Sequence, residues 1–283
     1  MIVRTLRAMA LLAFAAFLFP ASGCIRYQEE LVVQPDGSGK MVLTMGFNLE
    51  ILEKLKGMGM DPKENDDKMT FDAKDFEKFE GIVALTRPKT EKKDNWQIWS
   101  VTAYFEDINK VKLVEKEGET KKVKATFAFR KEGDGYVLEI DDHLMENDQM
   151  KKMDDAPEEG GEQAWEMVKQ FLKGFEISRG VKMPGAVTTA EGFSQKEGRG
   201  ALNKIDEASL KGMADLSKMA KAAKRKVVCG KSELSEGDVA AFKKELEDAK
   251  AAWPKIQEEL KAESEKRKKD KEKDKDNEKE KGD

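Results

Sequence analysis

The sequence predicts an α+β protein: mostly antiparallel β-sheet or a partly open barrel with packed helices, then a C-terminal helix and a disordered charged tail. Three observations carry this. Apolar and polar residues alternate over short runs bounded by Gly, Asp and Asn turns, the period of half-buried strands. Between these runs lie stretches with an apolar residue every three or four positions, the period of amphipathic helices. Hairpin signals also outnumber any βαβ rhythm, which points away from a parallel sheet.

Residues 1–23 read as a lipoprotein signal peptide. Arg4 and Arg7 give a positive flank, residues 8–19 an apolar run, and Ala21-Ser22-Gly23-Cys24 a lipobox with small residues ahead of the cysteine. That run is shorter than the about 20 residues a membrane helix needs. The Cys24 thiol is the nucleophile that takes a diacylglyceryl group before cleavage frees its amine, so lipidation is expected at Cys24. A soluble secretory signal with a chance cysteine is the alternative. The expected setting is a bacterial envelope, with the membrane engaged through N-terminal acyl groups and the body facing the periplasm or exterior. Ile25, where an Asp would retain the protein at the inner membrane, favours the outer membrane in a Gram-negative cell.

The first mature segment alternates, with Tyr27, Glu29, Leu31 and Val33 on one face. Pro35-Asp36-Gly37-Ser38-Gly39 supplies a tight reversal. Met41, Leu43, Met45 and Phe47 then resume the period of two, completing a hairpin directly after Cys24. Helical spacing follows at Leu49, Leu52, Leu55 and Met58, and again over residues 72–79. Strands return at 82–87 and 96–105 around the polar turn 92–95, and at 122–130 and 136–140 around Glu132-Gly133-Asp134-Gly135.

Residues 141–161 lack periodicity and read as an excursion loop. Trp165, Val168, Phe171 and Leu172 mark a helix closed by Gly174, and residues 175–183 a strand ending at Pro184-Gly185. Gly192, Gly198 and Gly200 bracket a loop, residues 201–205 a strand, Leu210 to Met219 a helix, and residues 227–229 a closing strand. The total is roughly eight strands in a domain spanning residues 24–230.

Ser235 and Asp238 form an imperfect capping box. From there Val239, Phe242, Leu246, Ala249, Trp253, Ile256 and Leu260 repeat at three and four, a heptad seam over an amphipathic segment, 231–260. Pro254 interrupts it, so two helical pieces docked on the parent domain are expected, with an intermolecular coiled coil as the other reading. Residues 261–283 are almost wholly Lys, Asp and Glu and read as a disordered polyampholyte.

Composition bounds the chemistry. Fifty-two basic and 56 acidic residues are intermixed, for a net charge of −4. That mixture argues against nucleic acid, which rewards a one-signed basic surface. With Cys24 acylated, Cys229 has no partner, and its setting in Val227-Val228-Cys229 predicts a buried strand thiol. His143 is the single histidine, so a His/Cys zinc site cannot be assembled. A carboxylate metal site around Asp141, Asp142 and Asp148 lacks calcium-loop spacing. No Gly-x-Ser-x-Gly elbow occurs, and the glycines near 192–200 fail the phosphate-cradle spacings. No catalytic residue, cofactor or metal is therefore expected. Met41, Met45, Met58, Met60 and Met69 are either core filling or the lining of a lipid cleft.

Several stretches resemble the LppM-domain lipoproteins of bacterial envelopes: the lipobox into Cys24-Ile25-Arg26-Tyr27, the turn Asp36-Gly37-Ser38-Gly39, Met183-Pro184-Gly185, and Gly198-Arg199-Gly200-Ala201-Leu202. The resemblance spans about residues 24–230. It implies a β-rich envelope module without established catalytic residues and with a role in lipid or envelope binding. Many such proteins finish with a hydrophobic segment, whereas this chain finishes with charge. The expected function is a non-catalytic module binding a lipid, glycan or envelope protein, or else an assembly component acting through the heptad helix.

Overall fold

The computed structural model describes residues 25–50, 79–117, 120–143, 172–212 and 223–280, with positions 53, 165, 166, 169 and 215. Its strands are β1 (Ile25–Val33), β2 (Gly39–Asn48), β3 (Phe79–Glu80), β4 (Ile82–Leu85), β5 (Lys89–Lys93), β6 (Trp96–Phe105), β7 (Lys112–Glu117), β8 (Thr120–Glu132), β9 (Gly135–Asp142), β10 (Glu176–Lys182), β11 (Val187–Glu191), β12 (Gln195–Glu197), β13 (Gly200–Asp206) and β14 (Ala223–Cys229). One long helix, α1, spans Glu236–Glu280.

The strands form two sheets. The larger runs β12-β13-β10-β1-β2-β6-β4, with β5 also on β6; the smaller runs β11-β14-β9-β8-β7-β3. Among the described pairings only β1 with β10 is parallel, so the α+β, mainly antiparallel expectation holds, and neither sheet closes into a barrel. The sheets pack face to face. Leu31, Met41, Ala103, Phe105 and Val181 of the larger sheet share one buried cluster with Leu113, Phe127, Leu138 and Val227 of the smaller.

The first hairpin forms as its alternation demands, with Ile25 opposite Phe47 and Val33 opposite Gly39. Gly37 closes the turn at φ +83°, a backbone state that costs glycine little. Gly39 answers a different need. A Cβ there would lie 2.1 Å from the Val32 carbonyl oxygen and 2.6 Å from the Phe105 ring.

Several elements escape the sequence reading. The polar stretch 89–93 is strand β5, wholly exposed and hairpinned onto β6 through Asp94 and Asn95. Strands β7, β11 and β12 also lack apolar alternation and are edge or near-edge strands, whose pairing is set by neighbours rather than by burial. Phe79, expected at a helix end, begins β3. The strand expected at 227–229 starts four residues earlier. The helices expected at 48–60, 72–79, 165–172 and 210–219, and the loop at 141–161, lie mostly outside the described residues.

The capping box is present and reciprocal: the Asp238 amide donates to Ser235 Oγ at 3.1 Å, and the Ser235 amide to Asp238 Oδ2 at 3.0 Å. The seam then docks on the outer face of the larger sheet, where Phe242 and Leu246 bury against Ala84 and Tyr104, with Trp253 packed beside them. Two expectations need correction. The helix is one piece rather than two, because Pro254 is exposed, forfeits only one backbone hydrogen bond, and follows a Trp253 that the sheet holds in place. The tail, expected to be disordered, continues this helix to Glu280. Lys and Glu are good helix formers.

Candidate functional site

Neighbouring strands of the larger sheet stack their inner-face residues in rows, and the rows change character along the sandwich. Ala103, Met41, Leu31, Val181 and Ala201 lie opposite one another across β6, β2, β1, β10 and β13. None is more than 3% exposed. Here the interior is packed solid. Met41 is core filling, not the wall of a cleft.

The next row toward the start of β1 is Val101, Leu43, Glu29, Arg179 and Asn203. Charge enters the interior here. Arg179 of β10 donates to the carboxylate of Asp142, the last residue of β9, which also accepts from Arg225 of β14. Tyr27 Oη donates to Glu29 Oε2 at 2.9 Å, and Arg179 Nε stands 3.9 Å from the same oxygen. Two carboxylates and two guanidiniums thus cancel between the sheets, with Asp142 at 3% exposure and Arg225 at 6%.

Environment sets the protonation of this layer. Burial, reinforced by the Glu29 charge, pushes the Tyr27 phenol well above its ordinary pKa, so it stays a donor. Burial works against the Arg179 cation, yet Glu29 and Asp142 outweigh it and raise its pKa. For Arg225 burial prevails over Asp142 and lowers it. The Nε atoms of both arginines are buried without a hydrogen-bond partner.

Beyond the charged layer the inner face turns apolar again but opens. Trp99, Met45, Tyr27, Ile177 and Ile205 form a row across the same five strands. Trp99 meets Phe47 edge to face, centroids 5.1 Å apart. On the smaller sheet β8 continues past Asp142, and an irregularity after Ala125 shifts its register so that Val123 sits opposite Val114. Met45, 40% exposed, and Val123, 43% exposed, are the exposed large hydrophobics among the described residues. Met45 belongs to the inner face of the larger sheet, one row beyond the charged layer. On one flank Leu172, Phe175 and Leu210 cover Ile177 and Ile205. The arrangement is a partly exposed apolar row beside a neutralised charged layer, at the end of the sandwich where β1 starts.

This chain is similar to a solved structure, the folded domain of Mycobacterium tuberculosis LppM, determined by NMR. The likeness covers 77% of this chain and 95% of that one, at 10% identity and a TM-score of 0.34. No protein-family model matches this sequence, and no curated protein matches it.

The other candidate residues disperse. Asp141 and Asp142 point to opposite faces of β9, and Asp148 lies outside the described residues, as does Cys24. Among the described residues no group of three His, Cys, Asp or Glu side chains is placed to hold a metal. His143 sits after β9 with Nε2 3.3 Å from Asp141 Oδ1 and its amide bonded to the Lys124 carbonyl. Cys229 is 2% exposed; burial raises its pKa, which keeps it an inert thiol. No helix among the described residues is long and apolar enough to cross a membrane.

The charged layer was missed in the sequence, yet it left a signal. Glu29 shares the phase of Leu31 and Val33, Asp142 that of Leu138 and Ile140, and Arg225 that of Val227 and Cys229. Charges on the buried phase of three strands point to one another.

Proposed function

We propose that this chain is a lipid-anchored lipoprotein of a bacterial envelope, acylated at Cys24, whose body is a non-catalytic binding module for an apolar ligand, foremost a lipid chain. The observation that supports the reading is the partly exposed apolar row beyond the charged layer. Trp99 and Met45 are apolar, lie on the inner face of the larger sheet and are partly exposed at the end where β1 starts. A small number of polar groups beneath an apolar wall is how ligand sites fix orientation. Glycan or protein binding, or assembly through the heptad seam, are the competing readings, but Phe242 and Leu246 of that seam are spent on the parent sheet.

The non-catalytic part of the reading is supported by the pairing within the charged layer. Asp142 is shared by two guanidiniums, and Tyr27 is held as a neutral donor, so neither is poised to exchange a proton.

The test is lipid extraction from the full chain purified from membranes, read by mass spectrometry. A non-covalent lipid present in the native protein and lost in Met45→Asp supports the module. A protein-only complex that disappears on removal of residues 231–283 overturns it in favour of assembly.

A further inference from the structure

We infer that the end of the sandwich where β1 starts rests on the bilayer surface, with β1 standing up from it and Trp99 and Met45 at the level of the headgroups. This rests on the acylation of Cys24 proposed above, and the occupant it names is the bilayer carrying that anchor.

Tether length is the first argument. Ile25 is already paired with Phe47, and Arg26 with Gly46 on one side and Glu176 on the other. One step of about 3.8 Å therefore separates Cys24 from the ladder. β1 is an interior strand of the larger sheet, flanked by β2 and β10, so releasing its first residues would break hydrogen bonds on both edges. A lipoprotein body normally drifts on a linker whose reach grows as about 5–6 Å times the square root of its length. Here that linker has no length. The strand ends Ile25, Phe47 and Trp96 are carried to within about a nanometre of the acylated residue, a few steps of the chain.

Rim chemistry is the second argument. Exposed Arg26 covers the buried Trp96 ring, its guanidinium 4.0 Å over it, with its Nε donating to the Gly174 carbonyl at 3.3 Å. Lys92 and Lys93 are exposed at the end of β5. Trp99 stands just inside with Phe47, beside the exposed Met45. Indoles with Arg and Lys beside them are the side chains that partition to the membrane–water interface, where one part is apolar and the other wet. The opposite end of β1, at Val33, is about 26 Å higher at about 3.3 Å per residue. It carries the polar turn around Asp36 and Ser38.

The experiment uses the mature, acylated full chain in phosphatidylcholine vesicles that contain brominated lipids. Single-tryptophan variants keep either Trp99 or Trp253, the latter on α1 beside Ala84, with the other tryptophans replaced by Phe. Trp99 emission is expected to be quenched several-fold more than that of Trp253. Equal quenching in protein that floats with the vesicles overturns the bilayer contact and leaves the anchor intact. Failure to float overturns the anchor and the contact together. Hydrogen exchange on the unsubstituted protein keeps the test independent of those variants. Amides of residues 92–98 should slow on vesicles relative to the unacylated mature chain, while residues 34–38 stay unchanged; the same change at both ends, or at neither, contradicts the contact.

Discussion

The Asp142 carboxylate, at the end of the smaller sheet, receives the Arg179 guanidinium of the larger one, and the same Oδ2 atom takes Arg225. This contact ties the sheets together where the dry interior stops. Deleting Asp142 leaves two cations in the interior against Glu29 alone. Removing one partner from a buried ionic group costs about 3–5 kcal/mol, so Asp142→Ala should lower unfolding free energy in urea by that amount. In an Arg179→Ala background the same change should cost clearly less, since contacting residues are non-additive. Additive losses would show that the layer is not a unit.

Gly39→Ala tests the hairpin that follows Cys24. Its Cβ would meet the Val32 carbonyl oxygen at 2.1 Å, an atom that cannot rotate away. Overpacking of this kind costs about 1–3 kcal/mol or more, and the upper end is expected. A thermal midpoint within a degree or so of the parent would contradict the register of β1 and β2.

Helix docking should weaken in acid. Burial disfavours the Glu245 carboxylate, but hydrogen bonds from Lys40 and Tyr104 outweigh it and hold its pKa below the usual value. A depressed carboxylate pKa stabilises the fold above the unfolded-state value of about 4.3, and that contribution is lost as pH falls through the folded-state value. Thermal midpoints measured between about pH 6 and pH 3 should fall less steeply in Glu245→Gln than in the parent chain.

The seam and the proline pull in opposite directions. Phe242→Ala removes a buried ring, 6% exposed, and should cost about 3 kcal/mol. Pro254→Ala restores a backbone donor on an exposed position and should stabilise the helix, by at most about 3 kcal/mol. Hydrogen exchange across residues 245–265 reads both.

Strands β1, β2, β6, β8 and β9 were legible because each buries one face, and a period of two follows from that. Strand β5, five exposed charged or polar residues in a row, has no buried face to announce it. The β1–β10 pairing joins residues about 150 positions apart in one parallel ladder, and no local pattern encodes such a partner. Asp142 was read as part of an acidic loop because 38% of the chain is charged, which hides one buried carboxylate among many solvated ones. Its phase with Leu138 and Ile140 was the available clue. Pro254 was weighted as a break because local propensity ignores the tertiary contact at Trp253 that carries the helix through.

The proposed acylation of Cys24 would set which end of the sandwich faces the membrane, and intact-mass spectrometry of the protein purified from its native membrane tests it most directly. The account predicts a chain that begins at Cys24 and carries the added mass of a diacylglyceryl group and an amide-linked acyl chain. A retained residue 1–23 segment, or a Cys24 of unmodified mass, would contradict it.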